Sequence, residues 1–96
     1  MTFEDFERST FLANKPDGLN PLLDSLWEAK VGNWDKAHKI VQDIGDRNAS
    51  WIHAWLHRMD GDNSNAQYWY SRAGRHFFNG PLDDEWIAIS RELIND

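Results

Sequence analysis

What most constrains this chain is its punctuation. Asn20-Pro21, Gly32-Asn33, Gly45, Asn48, Gly61, Asn63-Ser64, Gly74 and Asn79-Gly80-Pro81 cut residues 20–96 into five short segments. Asn or Ser ahead of a run supplies an oxygen for unpaired N–H groups, Pro suits the first helical turn, and Gly takes the left-handed turn past the end. Each segment between these marks therefore reads as a helix: "LLDSLWEAKV", "WDKAHKIVQDI", "ASWIHAWLHRM", "NAQYWYSRA" and "LDDEWIAISRELI". Asn33, Asn48 and Asn63 or Ser64 are the expected caps of the middle three. Trp34, Ala37, Ile40, Val41 and Ile44 recur at helical spacing. No segment alternates as a strand would. The expectation is an all-α protein of about five helices, with residues 1–12 adding a further short helix.

Ninety-six residues fill one domain, 1–96, with a single modest core. There is no cysteine, which excludes disulfides, thiol catalysis and cysteine-held metal; six tryptophans are the obvious packing material. A net charge of −6 argues against nucleic acid and against anionic membranes. "MTFEDFERST" lacks the basic start and apolar run of a secretory leader, and no stretch reaches the roughly 20 apolar residues of a membrane span. The cytoplasm is the expected location.

Two segments rhyme. "LWEAKVGNWDKAHKIV" from Leu26 lies over "WLHRMDGDNSNAQYWY" from Trp55 at a period of 29, with Gly32 on Gly61 and Ala37 on Ala66. A period of roughly 20–50 residues is typical of helical repeats. This predicts hairpin units at about 20–45 and 48–74, and a closing helix at about 82–95.

"GDNSNAQYWYSRAG" resembles the turn and second helix of tetratricopeptide and Sel-type repeats, carried by Gly61, Asp62, Ala66, Trp69, Tyr70, Arg72 and Ala73. The wider chain is similar to a group of small bacterial α-helical proteins without an assigned activity. That similarity is carried by Gly32, Trp34, Ala37-His38, His53-Ala54, Leu56-His57-Arg58, the Gly61–Gly74 segment and Glu85-Trp86. The resemblance implies stacked antiparallel helical hairpins of tetratricopeptide-like type, serving as a protein-interaction module for a protein or peptide. In such stacks the first helices of successive units line a concave face. Since two hairpins are fewer than a repeat array needs, the ends are expected to be closed by the flanking segments or by self-association, a possible homodimer.

The chemistry-bearing residues gather in "WIHAWLHRMDGD". His53 and His57, four apart, share one helix face. Taking Ile52 as zero, they lie at about 100° and 140°, off the main apolar stripe. The repeat register aligns them with Asp24 and Glu28, so an imidazole pair facing a carboxylate pair is expected. Folding back at Gly45–Arg47 brings His38 level with Ala54 or Trp55. Three readings follow. The imidazoles hold helices in register; or His53, His57, Asp24, Glu28 and Arg58 are polar anchors of a partner-binding groove; or His38, His53, His57 and Glu28 hold a metal, in a metal-binding protein or a metal-dependent enzyme, zinc being acceptable to nitrogen and oxygen donors. Ala54 stands where a zinc peptidase carries Glu, and no serine has a nucleophile-elbow context, so the sequence favours no enzyme. A structural homo-oligomer is a further possibility.

Trp34, Trp55 and Trp69 are expected in the core, whereas Trp51 and Trp86 are candidates for either core or contact surface. Arg58, Arg72, Arg75 and His76 are expected to pair with Asp60, Asp62, Asp83 and Asp84. Phe77 and Phe78 are expected to dock the last helix.

Overall fold

The computed structural model describes residues 1–94. Six helices make up its regular structure: α1 (Phe3–Phe11), α2 (Pro21–Lys30), α3 (Trp34–Gln42), α4 (Arg47–Met59), α5 (Asn63–Ala73) and α6 (Leu82–Ile94). The described residues contain no strand, and none of their helices is long and apolar enough to cross a membrane. The additional helix beyond five is α1, capped by Thr2, whose hydroxyl accepts from the Asp5 N–H at 3.1 Å.

The caps explain the boundaries. Asn20 accepts from the Leu23 N–H at 2.9 Å with Pro21 in the first turn, as expected. The caps of α4 and α5 are aspartates instead of the asparagines and serine anticipated. Asp46 accepts from the Ala49 N–H at 2.7 Å, and Asp62 from the Asn65 N–H at 3.3 Å. Either residue type offers the same acceptor, so spacing alone could not choose between neighbours. Asn33 precedes α3 but gives its side chain elsewhere, donating to Glu28 Oε1 at 2.8 Å.

α2 and α4 end identically. The Asn33 N–H bonds the Glu28 carbonyl and the Gly32 N–H the Ala29 carbonyl; 29 residues later Asp62 bonds His57 and Gly61 bonds Arg58. Gly32 (φ +98°) and Gly61 (φ +78°) take the left-handed turn each closure requires. The chain is thereby folded into the hairpins α2–α3 and α4–α5. Ala37 and Ala66 are fully buried, as the repeat register anticipated. Ser25 Oγ also donates to the Ala37 carbonyl at 2.8 Å, binding α2 to α3.

α4 is the central element, packed against α2, α3, α5 and α6. Its apolar side supplies Ile52, Trp55 and Leu56 to the core. Indole N–H groups tie the layers together: Trp27 to Ser9 Oγ (3.0 Å), Trp34 to the Leu56 carbonyl (2.8 Å), Trp55 to the Leu82 carbonyl and Trp86 to the Leu26 carbonyl (both 3.0 Å). Trp51 and Trp86 are both buried. Trp34 and Trp69, expected inside, are only partly so; they cover histidines.

The candidate three-histidine site and the buried charges around it

α3 and α4 bring His38, His53 and His57 together. One ring nitrogen from each lies within 4.8 Å of those of the other two. His53 and His57 are buried, 4% and 8% exposed, whereas His38 is half-buried. The His38 and His53 Nε2 atoms are 2.9 Å apart, one ring N–H donating to the other ring's lone pair. His53 and His57 stack with centroids 4.9 Å apart, as their four-residue spacing on α4 requires.

Aromatic walls fix the rings. Trp34 lies flat on His38 at 4.9 Å and edge-on to His57 at 6.0 Å. Trp69 of α5 lies flat on His53 at 3.8 Å. Among the described residues His57 has no hydrogen-bond partner at either ring nitrogen, and His53 Nδ1 is also buried without one. Burial, reinforced by the neighbouring imidazoles, pushes His53 down to about 4. Burial and His38 also lower His57, against the opposing pull of Asp62 and Asp60. The buried rings are therefore neutral at pH 7, with nitrogen lone pairs available.

The carboxylates expected opposite them are elsewhere. Asp24 and Glu28 both pair with Lys15, in the segment ahead of α2, and Glu28 is also held by Lys36 (3.3 Å) and Asn33. The concave-face register sets them against the His pair, but His53 and His57 turn toward α3 and α5 instead. Burial works to raise the Glu28 carboxyl; the hydrogen bonds from Lys15, Asn33 and Lys36 prevail and hold it at about 2. It is a committed anion, 3% exposed, and it does not join the histidines.

Arg58 also turns away from the expected aspartates. Its guanidinium donates to Glu85 Oε1 and to the Gly80 carbonyl, both at 2.6 Å, and lies 5.7 Å from the Phe77 and Phe78 rings. Fully buried Glu85 takes further bonds from Trp51 Nε1 (2.9 Å) and from the Tyr70 hydroxyl (2.7 and 2.6 Å to its two oxygens). Burial opposes the charge on Arg58, but Glu85 raises its pKa; burial and Glu85 together raise that of Tyr70. In the sequence Glu85 reads as a dipole-favouring acid like Asp83 and Asp84. Its position four residues before buried Ile89 is the signal that it faces inward. Arg75 lies 3.5 Å over Trp51 and pairs with Glu92 at 2.5 Å. Arg72 lies over Tyr68 and Trp69, and Asp83 pairs with Lys30.

Comparisons with protein-family models, with curated proteins and with solved structures found no match to this chain.

Proposed function

We propose that this protein binds a divalent late transition-metal ion through His38, His53 and His57. The observation that carries the reading is the convergence of three imidazoles from two helices, one with no hydrogen-bond partner among the described residues. An ion about 2.0–2.1 Å from each nitrogen sets its donors roughly 2.9–3.4 Å apart, at angles from a right angle to the tetrahedral one. The His38–His53 separation of 2.9 Å is already in that range. His38, half-buried, is the ring with room to adjust. Three neutral nitrogen donors suit zinc, nickel or copper and not calcium or magnesium, which prefer oxygen. Glu28 is not part of this set, because releasing it would strand Lys15, Lys36 and Asn33.

The test is calorimetric titration of chelator-treated protein with Zn²⁺ and Ni²⁺. Micromolar or tighter binding of one equivalent, lost in His38→Ala and in His57→Gln, is expected. Absence of binding by the wild-type protein sinks the reading and leaves the imidazoles as a contact that registers α3 on α4.

A second reading, a tetratricopeptide-like interaction module, is supported by the identical closures of α2 and α4 and by an exposed aromatic on α5. Tyr68 on α5 is 53% exposed, beside Arg72 and edge-on to Trp69 at 5.1 Å. Under this reading Tyr68→Ala loses a partner retained by wild-type protein from cell extract, with zinc titration unchanged. Retention by Tyr68→Ala equal to wild type argues against it.

A further inference from the structure

Resting on the three-histidine reading, we infer that the loaded centre keeps a coordination position open to a small exogenous anion, entered from the His38 side. The first argument is the donor count. Among the described residues no carboxylate and no fourth imidazole joins the group. Glu28, the carboxylate expected there, is engaged by Lys15, Lys36 and Asn33. A four-coordinate ion with three protein ligands completes its shell from solvent, as catalytic zinc sites do and closed structural sites do not.

The second argument is charge. Three neutral imidazoles leave both positive charges of the ion uncompensated within a mostly buried site. The carboxylates acting on the group, Asp60 and Asp62, reach His57 only through space, from exposed positions at the end of α4 and the cap of α5. A partly desolvated dication without a bound counter-charge is costly, so a monoanion in the open position is favoured over water.

The third argument is access. His53 and His57 are closed over by Trp69, by each other and by the core, but His38 is half-buried. Trp34, stacked on His38, also lines an open surface pocket with Gly32, Asn33, Asp35 and Lys36. The pocket lining includes none of the three histidines, but it adjoins His38 through the Trp34 ring stacked on it at 4.9 Å. The burial of His53 and His57 favours a ligand of few atoms: hydroxide, azide, thiocyanate or a comparable monoanion.

The experiment loads the full chain with one equivalent of Cu²⁺ and titrates it with sodium azide, following the azide-to-copper charge-transfer absorption and the copper electron paramagnetic resonance spectrum. A saturable new band at one azide per copper, with altered spin-resonance parameters, is expected. His57→Gln, which preserves side-chain bulk, should load no copper at this site and show no band. If copper loads and azide changes neither spectrum, the open position is refuted and the ion site stands. If wild-type protein takes up no copper, the site and the inference fall together. A band that persists in His57→Gln puts the copper elsewhere and overturns the inference.

Discussion

His38 Nε2 and His53 Nε2 meet at 2.9 Å across the gap between the two hairpins. Two imidazoles this close share a single proton, since two protonated rings would repel and would have no acceptor between them. The contact therefore demands a neutral partner, and an ion that replaces the shared proton links α3 to α4 more firmly than the hydrogen bond does. A neutral hydrogen bond of this kind contributes about 1 kcal/mol.

Metal binding should consequently appear as thermal stability. An ion present at a hundredfold its dissociation constant adds about 2.7 kcal/mol, which for a domain of this size raises the melting temperature by roughly 10–20 °C. Calorimetric melts with and without Zn²⁺ check this. His38→Ala should remove the increment while lowering the metal-free melting point by roughly 4–8 °C, the worth of the lost hydrogen bond to His53.

Acid should destabilise the fold in two windows. His53 sits at about 4 when folded, below its ordinary 6.5, so between these values the unfolded chain binds the extra proton. Its contribution is complete above pH 6.5 and declines as the pH falls toward 4, by about 3 kcal/mol in all. His57 acts in the same direction. Glu28 adds a lower window, from 4.5 down to about 2, as its carboxylate is protonated. Urea unfolding across about pH 7.5 to 4 should show a falling free energy, with a shallower slope above the Glu28 window in His53→Gln. A flat profile between neutral and mildly acidic pH would contradict neutral burial of these rings.

Breaking the buried ion pair should be the most damaging single polar change. Glu85→Gln keeps the volume but leaves Arg58 without its counter-charge and Tyr70 and Trp51 with a poorer acceptor; removal of one partner of such a pair costs roughly 3–5 kcal/mol. Arg91→Ala, which loses an exposed 3.3 Å pair with Glu4 and a 4.2 Å contact over the Phe3 ring, should cost less, no more than about 2 kcal/mol. Denaturant midpoints of the two variants, measured together, test the ranking.

Gly32→Ala and Gly61→Ala should cost the same. A methyl group added at either position meets no atom within 4 Å, so backbone strain at positive φ is the whole penalty. That strain is about 1–2 kcal/mol at each. Equal losses in chemical denaturation would show the two closures to be energetically, as well as geometrically, equivalent. A loss at only one of them breaks the equivalence.

Punctuation makes the helices legible. Asn20-Pro21, Gly32, Gly61 and Gly74 act locally, within one turn, so a linear reading finds them. Gathering His38, His53 and His57 is also within reach, because one helix and one hairpin bend determine it. The partners of Glu28, Arg58 and Glu85 are not. Each is chosen by tertiary packing, with Glu28 taken by Lys15 from an irregular segment and Arg58 by an acid 27 residues away. Charge type suggests a salt bridge, but only the direction of the helix faces says with whom. The repeat register misleads in the same way. It equates positions correctly along the chain, yet Glu28 faces Lys15 where its counterpart His57 faces Trp34.

The bonds of α6 have a kinetic consequence. Trp86 reaches a carbonyl 60 residues away, and Glu85 collects donors from α4 and α5 that lie 15 to 34 residues before it. Contacts this distant form only after long loops close, whereas the α4–α5 hairpin closes through neighbours. Docking of α6 is thus expected to follow closure of the α4–α5 hairpin. Until it docks, Arg58, Tyr70 and Trp51 stand assembled without the anion they share.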